Sequence, residues 1–478
     1  MLPLYVRNTL MLVGLVAVGT AAIGTGAAWL VTMYRFPGAR LFEVILVLPL
    51  AFPAYVLAYA YTDLLSHPGA VQSALRSVTG WGPRDYWFPN IRSLPGAALM
   101  LVCVYYPYVY LLARTAFIQQ SAGAYLAART LGRGPVAAFA QVSLPMARPG
   151  IAAGVLLAVM ETIADYGTVA HFNVRTFSTG IYQAWFAMQD RAAAAQLALC
   201  LLGFALLLAA AERIQRGQAQ SYLRGGGLTT TPPKRLAGWR ALTATALCAV
   251  PVTIGFLLPV VVLASMARGS GQSVADPRYL RFVGNSLTLA GAGLGYAVPG
   301  GVIAVGLLVP FAHLDNLIDA WARARLGVST GLIFTGTIGL LVLAYMGRFM
   351  AVALNAFDAG LATVSPRVDA VARTLGRGPP GLLGRVHLPI LKGSLLTGLL
   401  IVFVDTLKEL PATLIMRPFD FDTQAVQAHR LASDERLAAA AVPSLVIAGI
   451  GLLPVILMCR AIAGERAAPR APATRPAE

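Results

Sequence analysis

Residues 128–135 read A-R-T-L-G-R-G-P, and residues 372–379 read the same eight letters. The two copies are offset by 372 − 128 = 244 residues, and the offset holds further along, where V-S-L-P at 142–145 falls on V-H-L-P at 386–389. Each copy is a polar, arginine-bearing segment between apolar runs that are long enough to cross a bilayer. The chain is therefore an internal duplication that offers one basic element twice, with pseudo-twofold symmetry, to a symmetric partner.

Composition defines the broad class. Of 478 residues, 57% are hydrophobic and 12% are charged, and the mean hydropathy is +0.69. This apolar area exceeds what one soluble core can bury, so we predict an all-α polytopic membrane protein surrounded by membrane lipid. The net charge of +17 is explained by lysine and arginine in cytoplasmic loops. Because no soluble basic domain is visible, we expect no nucleic acid as a partner.

The apolar runs divide the chain into two halves. We identify ten runs, at residues 9–33, 41–65, 94–117, 149–170, 192–211, 241–266, 285–311, 327–357, 393–415 and 437–461. The predicted parts are a first transmembrane half (1–211) with its loop at 121–148, a basic cytoplasmic linker (212–240), a second half (241–461) with its loop at 365–392, and a tail (462–478). The composition of the tail predicts disorder.

The number of crossings in the second half is inconsistent with this division. If the linker and both loops share one side of the membrane, an even number of crossings separates the linker from the second loop, yet three runs lie between them. Pro53 and Pro299 match at an offset of 299 − 53 = 246, whereas Asn8 and Asn285 match at 285 − 8 = 277. The second half therefore lacks 277 − 246 = 31 residues, about one span and its turn.

The repeated element resembles the EAA loop of binding-protein-dependent ABC importer permeases. Nine residues separate Gly132 from V-S-L-P and Gly376 from V-H-L-P, although Leu126 and Ala370 replace the acidic residue that usually opens this loop. The resemblance implies two pseudo-symmetric bundles of the type I importer kind, with twelve spans as the family pattern, and a short helix that docks on the ATP-binding subunit. The docking residues it implies are Ala128, Arg129, Gly132, Arg133, Leu144, Pro145, Ala372, Arg373, Gly376, Arg377, Leu388 and Pro389. We expect each Leu-Pro pair to close the loop element before the next span. The alternative is that the arginines only hold the loops on the cytoplasmic side, against anionic headgroups.

Five further segments resemble fused permeases of the ferric-iron uptake type. They are residues 162–168, 179–182, 190–195, 408–413 and 417–423. This resemblance implies a bacterial inner-membrane permease supplied by a periplasmic iron-binding protein and driven by an ABC ATPase dimer. The sequence contains no G-x-x-x-x-G-K-[ST] phosphate loop, so we expect this chain to be no enzyme and to bind no cofactor, with ATP and Mg on the partner.

Two pairs of acids lie inside apolar runs. Glu161 and Asp165 are four residues apart, and Asp405 and Glu409 repeat them at the offset of 244. A spacing of four predicts that each pair shares a helix face. Four such groups brought together by symmetry would ring the outer mouth of a channel, where they would offer hard trivalent iron its preferred oxygen ligands. The alternatives are that these acids pair with Lys408 or a loop arginine, or cap a helix end.

No resident metal site is assigned from the sequence. Four tyrosines in the apolar run at 94–117 are interpreted as interfacial anchors and not as phenolate ligands. They are Tyr105, Tyr106, Tyr108 and Tyr110. The histidines are scattered without metal spacing. Two other functions remain open, an ABC permease for thiamine or another small solute and an ion-coupled secondary transporter that uses the acids as proton carriers. The repeated docking loop favours the importer, because a secondary transporter needs no such element.

Overall fold

The computed structural model describes residues 1–82, 84–119, 122–219, 234–272, 276–292, 299–347, 374, 378–389, 399 and 402–467. This part of the chain is almost entirely helical, as its apolar runs predict, and it includes a two-stranded parallel sheet. Seven of its helices are long and apolar enough to cross a membrane. An eighth candidate, Ala39–Ala51 with Ala54–Thr79, is bent by 89°.

The first half contains the longer helices and most of the core. Its elements are α1 (Leu2–Met33), β1 (Tyr34–Arg35), α2 (Ala39–Ile45), a 3-10 turn (Leu48–Ala51), α3 (Ala54–Leu65), α4 (Ala70–Thr79), α5 (Leu94–Gln119), α6 (Ala122–Thr130), α7 (Pro135–Ala138), α8 (Leu144–Ala164), α9 (Gly167–His171), α10 (Phe177–Tyr182) and α11 (Arg191–Ala219). Helix α5 is central. Gly24 of α1 and Gly154 of α8 each lie so close to Val109 of α5 that an added Cβ would stand 2.6 Å from one of its atoms. Small residues at these crossings let the helix backbones approach closely.

The second half follows the linker. Its elements are β2 (Lys234–Arg235), α12 (Trp239–Val252), α13 (Leu258–Gly269), α14 (Pro277–Ala292), α15 (Gly300–Leu326), α16 (Ile338–Gly347), α17 (Pro379–Leu382), the helical residues 402–407, α18 (Pro411–Met416), α19 (Gln424–Ser433) and α20 (Leu437–Ala467). Helices α12 and α13 are joined by a π turn at Thr253–Leu257 and form one candidate span.

The apolar run predicted as one span at 285–311 is two helices. Helix α14 ends at Ala292, and α15 begins directly after Pro299, which is extended (φ −54°, ψ 136°). Pro53 has nearly the same backbone (φ −65°, ψ 141°) directly before α3, because a proline cannot continue a preceding helix but is tolerated at the start of the next one. The prediction of a single span is therefore wrong. Between the linker and the second loop, α12–α13 and α15 are candidate spans among the described residues, whereas α14 and α16 are shorter helices.

Two hydrogen bonds join the start of α1 to residues at the start of α10 and just before it. The Asn8 side-chain amide donates to the Arg175 carbonyl (2.9 Å), and the Phe177 amide donates to the Thr9 hydroxyl (3.4 Å). Both bonds join residues that are more than 160 positions apart in the sequence. They fix the first turns of α1 against the segment that leads into α10.

Helix α14 makes the same two bonds in the second half. The Asn285 amide donates to the Asp422 carbonyl (2.8 Å), and the Gln424 amide donates to the Ser286 hydroxyl (3.1 Å). Helix α14 is thus the counterpart of α1, but it has 16 residues where α1 has 32. The 31 residues inferred to be missing correspond to the end of this helix and the segment that follows it.

The boundaries of the linker and tail differ from those predicted. Helix α11 continues to Ala219, β2 pairs with β1 (Tyr34 beside Lys234, Arg35 beside Arg235), and α12 already begins at Trp239. At the other end, α20 runs on to Ala467, past the predicted start of the tail. Residues 220–233 and 468–478 lie outside the described part of the chain.

The span that opens the second half in sequence packs on the first half in space. The Tyr61 hydroxyl of α3 donates to the Ile254 carbonyl (2.7 Å), and the Phe52 and Phe256 rings lie 5.4 Å apart. Buried residues of α12 and α13, among them Cys248 and Leu263, belong to the same core cluster as α1, α3 and α5. The two sequence repeats therefore interlock.

Candidate functional site

All four acids of the repeated pairs line one cavity between the two halves. The cavity lies where three helices are interrupted, and its lining includes Pro53 before α3, Gly167 at the start of α9 and Pro411 at the start of α18. Gly167 and Pro411 are themselves related by 411 − 167 = 244. Residues that are related by the sequence offset of 244 therefore meet at this cavity.

Asp165 caps a helix instead of sharing one with Glu161. Helix α8 ends at Ala164, and Asp165 is extended (φ −66°, ψ 129°). Its Oδ1 accepts hydrogen bonds from the amides of Thr168 (3.0 Å) and Val169 (3.2 Å), and its Oδ2 accepts one from the Thr168 hydroxyl (2.9 Å). The prediction of a common helix face is therefore wrong for this pair. The side chain of Asp165 satisfies amides that the first turn of α9 leaves without a helical partner.

Glu409 makes the same cap one offset later, beyond the helical residues 402–407. Its Oε1 accepts from the Ala412 amide (2.8 Å), and its Oε2 accepts from the Thr413 amide (3.1 Å), the Thr413 hydroxyl (2.8 Å) and the Tyr345 hydroxyl (3.0 Å). A carboxylate offers about four acceptor positions, so these bonds saturate Glu409. For both acids the helix-capping alternative applies.

Asp405 is paired with a lysine. The Lys408 Nζ lies 2.8 Å from Asp405 Oδ1, with both side chains 8% exposed, and the Tyr108 hydroxyl donates to the same oxygen (3.4 Å). Asp405 and its counterpart Glu161 are both buried at the cavity and cap no helix among the described residues. They are the second symmetry-related pair of acidic side chains in the lining of the cavity.

The tyrosines of α5 are not interfacial anchors, so that interpretation is wrong. All four are buried, because α5 is surrounded by α1, α3 and α8 over most of its length. Tyr105 lines the cavity, Tyr108 contacts Asp405, and the Tyr110 hydroxyl donates to the Glu43 carbonyl (3.1 Å). The length of the apolar run at 94–117 identified α5 as a span, but it did not indicate that other helices of the protein surround it.

Two histidines that look unrelated in the sequence converge beside the cavity. The Tyr59 hydroxyl lies 3.2 Å from His429 Nδ1, and the Thr62 hydroxyl lies 3.0 Å from His171 Nε2. The ring of Tyr166, which lines the cavity, packs against His429. The histidines are 429 − 171 = 258 residues apart, which differs from the repeat offset, so no sequence signal pairs them. Within the described residues, no three His, Cys, Asp or Glu side chains are grouped to hold a metal ion.

The first of the two repeated loops, predicted to dock on an ATPase, is a helix end followed by a turn. Gly132 has a left-handed backbone (φ 80°), its amide bonds to the Arg129 carbonyl (3.2 Å), and the Arg133 amide bonds to the Ala128 carbonyl (3.1 Å). This is the Schellman arrangement that ends helices at glycine. The Arg129 guanidinium donates to the Arg133 carbonyl (2.6 Å) and braces the turn.

Leu144-Pro145 does not close the first loop element, contrary to the sequence prediction. For Leu388-Pro389 the residues from 390 to 398 lie outside the described part of the chain. Residues Pro135–Ala164 form one continuous candidate span, in which a π turn (Phe139–Ser143) directly precedes Leu144-Pro145. A second π turn (Leu383–His387) precedes Leu388-Pro389, again at the offset of 244. The proline ring would clash with the carbonyl four residues earlier in a regular helix. The wider π turn relieves that clash and lets the helix continue.

The tip of the first loop is exposed and partly apolar. Leu131 is 81% exposed and Val136 is 77% exposed, on either side of the exposed Arg133, whereas Ala128 is buried. The sequence prediction named the arginines and omitted Leu131 and Val136, although an apolar residue inside a basic octet was itself a signal. Leu388 and Pro389 of the second copy are exposed. Four predicted docking residues of that copy lie outside the described residues, namely Ala372, Arg373, Gly376 and Arg377.

An aromatic cluster, which we call the aromatic seat, joins this loop to the span helices. The ring of Trp29 near the end of α1 lies 5.3 Å from Phe117 of α5, 5.8 Å from Tyr125 of α6 and 4.4 Å from Phe139 of the π turn. Burial and the neighbouring Tyr34 raise the pKa of the Tyr125 phenol, while Arg129 acts in the opposite direction. Tyr125 therefore stays neutral and packs as an aromatic ring.

The fold and these sites define a multi-pass helical membrane protein with two interlocked halves and an exposed basic loop. Residues 21–221 match the family described as binding-protein-dependent transport system inner membrane component. The chain is 25% identical to the Fe(3+)-transport system permease protein FbpB 2 of Haemophilus influenzae, over 94% of this chain and 88% of the relative. It is 22% identical to the ferric transport system permease protein FbpB of Actinobacillus pleuropneumoniae, over 98% and 72%. It is 28% identical to the molybdenum transport system permease protein ModB of Escherichia coli K12, over 38% and 78%. Residues 21–221 thus carry the domain of the binding-protein-dependent transport system inner membrane components, and the seven candidate spans agree with a multi-pass inner-membrane protein.

Proposed function

We propose that this permease moves ferric iron, delivered by a periplasmic iron-binding protein, through the cavity between its halves. The observation that carries the proposal is the pair formed by Glu161 and Asp405, which are buried at one cavity and related by the repeat. Oxygen ligands are those that a hard trivalent cation prefers. The likeness of almost the whole chain to two ferric permeases supports the same cargo.

The four acids have two different roles in this proposal. Asp165 and Glu409 hold the helix interruptions that open the cavity, because their oxygens are engaged by the amides of α9 and α18. Glu161 and Asp405 contact the cargo as it passes. A passage site must bind weakly enough to release its ion, and two carboxylates offer fewer ligands than a tight resident iron site would.

Energy comes from a separate ABC ATPase dimer, which carries ATP and Mg. Docking of that dimer on the exposed tip around Arg133 gives it a hold on the permease, and closure of the dimer pulls the loop. The aromatic seat around Trp29 passes this movement to α1 and to α5, which lines the cavity through Tyr105. The two halves then rock and open the cavity to one side at a time.

An anionic cargo such as an oxyanion is the competing possibility, since helix starts meet at the cavity and one relative is a molybdenum permease. Free amides at a helix start attract anions. Here the amides at the starts of α9 and α18 are already occupied by Asp165 and Glu409. The remaining acids at the cavity repel an anion, which favours a cation.

The test is uptake of radiolabelled ferric iron into proteoliposomes that contain this chain, its ATPase and its binding protein. We expect ATP-dependent uptake by the unaltered chain and a loss of at least tenfold in the double variant Glu161→Gln, Asp405→Asn. Asp434→Asn, an exposed acid outside the cavity, is the matched control and should leave uptake unchanged. Undiminished iron uptake by an assembled double variant would overturn the path, and ATP-dependent uptake of molybdate without iron would overturn the cargo.

A further inference from the structure

We propose that Lys408 is a built-in counter-cation, whose ammonium occupies the cargo position beside Asp405 and is displaced each time a cation passes. This inference rests on the proposed cation path through the same cavity. It assigns to Lys408 the task of keeping cargo binding weak, so that the ion is released and not retained.

The position of Lys408 is the first argument. Its Nζ is 2.8 Å from Asp405 Oδ1 with both side chains 8% exposed, and Glu161, Asp165 and Glu409 line the same cavity. Buried carboxylates that are close together repel one another unless a cation or a proton is present. Lys408 is the one basic side chain in the described lining of this cavity, so it supplies that cation while the cavity is empty of cargo.

The bonding of Lys408 is the second argument. Its Nζ is close to Asp405, yet no well-aligned hydrogen bond holds the ammonium among the described residues. By contrast, the Asp165 and Glu409 oxygens are held by three and four hydrogen bonds. A lysine head on a flexible four-carbon stem can swing aside while its stem stays in place. The geometry therefore suits a group that leaves and returns.

Broken symmetry is the third argument. The position equivalent to Lys408 in the first repeat is 408 − 244 = 164, which is Ala164, and Ala164 lines the same cavity. The acids are kept in both repeats, whereas the lysine is present in one. A single ammonium beside four acids leaves a net negative cavity that still attracts a cation, while a second one would neutralise it further.

This reasoning predicts opposite effects for two substitutions. Lys408→Met keeps the length of the stem but removes the competing charge, so iron should be held more tightly and released more slowly. Ala164→Lys adds a second competing charge and should weaken iron retention. A like charge a few ångströms away changes the affinity for a charged group by about tenfold or more, which sets the size expected in each direction.

The experiment measures radiolabelled iron, supplied as ferric citrate, that stays on the purified complex of permease and ATPase after gel filtration, together with uptake into vesicles. We expect at least tenfold more retained iron and slower uptake with Lys408→Met, less retained iron with Ala164→Lys, and retention close to that of the unaltered chain with Lys408→Arg. Co-purification of the ATPase checks that each variant is assembled.

The outcomes separate this inference from the iron path itself. Unchanged retention in both Lys408→Met and Ala164→Lys, while Glu161→Gln with Asp405→Asn still abolishes uptake, would overturn the counter-cation and leave the path intact. Reduced retention in Lys408→Met would mean that the lysine helps to bind the cargo, which also overturns the inference. If the double carboxylate variant transports iron normally, the path itself is wrong.

Discussion

Gly132 shows how one backbone angle decides the shape of the docking loop. Its φ of 80° ends α6, and no atom lies within 4 Å of the position that a Cβ would take. Gly134, two residues on, has equally open space but an ordinary φ of −61°. A side chain therefore strains the first position and not the second, for reasons of backbone conformation alone.

We predict that Gly132→Ala weakens association with the ATPase and that Gly134→Ala does not. Left-handed backbone costs a residue with a Cβ roughly 1–2 kcal/mol, enough to shift the tip between Leu131 and Val136 or to fray the end of α6. The measurement is the dissociation constant of the permease and its ATPase in detergent or nanodiscs. Equal weakening by both substitutions would show that bulk at the tip, and not its backbone turn, controls docking.

Single residues also mark the limit of what the sequence predicts about the cavity. The repeat offset was enough to pair Glu161 with Asp405 and Asp165 with Glu409, because duplicated chains place equivalent residues symmetrically. The offset did not reveal that α8 ends at Ala164. Glu161 therefore lies inside α8, whereas Asp165 lies beyond its end and caps α9. Asp165 can cap α9 only because α8 ends directly before it, and that break depends on tertiary packing.

Among the elements, three Leu-Pro steps share one local structure. The π turns at 139–143, 253–257 and 383–387 are each followed directly by Leu-Pro. The π turn at Gln183–Ala187 is followed by Met188, and Leu453-Pro454 lies inside α20. Reading Leu144-Pro145 as the end of the loop element was therefore wrong, since a locally widened helix accommodates this proline. Where the proline itself is extended, as at Pro53 and Pro299, a helix starts directly after it. Sequence alone does not distinguish the two outcomes, because both depend on what the preceding turn packs against.

The aromatic seat is an element that the repeat does not duplicate. The positions equivalent to Phe117, Tyr125 and Phe139, each plus 244, are Leu361, Asp369 and Leu383, and none is aromatic. Trp29 lies in the part of α1 for which α14, which ends at Ala292, is too short to have a counterpart. The first loop thus has a specialised attachment to the spans.

We predict that Trp29→Leu lowers the amount of iron moved per ATP hydrolysed, with the ATPase still bound. Trp29 is 8% exposed and contacts three rings, and removing a large buried ring costs about 3 kcal/mol, which loosens the joint between loop and spans. The assay compares ATP hydrolysis with iron uptake in the same vesicles. Trp87→Leu, at an 85% exposed position, is the matched control, and a normal transport ratio in Trp29→Leu would show that the seat transmits no movement.

For the whole molecule, the sequence predicted two halves and a missing segment, and it identified where the register shifts. It could not predict that α12–α13, the first span of the second half, packs on the first half. An apolar run specifies burial but does not specify a partner, and the choice here depends on contacts such as Phe256 with Phe52. The interlocking also explains how the chain keeps its halves together although one repeat is shorter.

We predict that the permease stays assembled and active when its chain is cut in the linker. A protease site placed within residues 220–233 separates the repeats covalently, but α12–α13 remains buried against α3 and α5, and β2 remains paired with β1. Both fragments should therefore co-purify after cleavage, and iron uptake should persist. Phe256→Ala in the cut chain opens a cavity in this contact, which costs about 3–5 kcal/mol, so its fragments should separate at a lower temperature than those of the cut chain without it. Separation of the fragments as soon as the unaltered linker is cut would show that the covalent connection, and not this helix, holds the two repeats together.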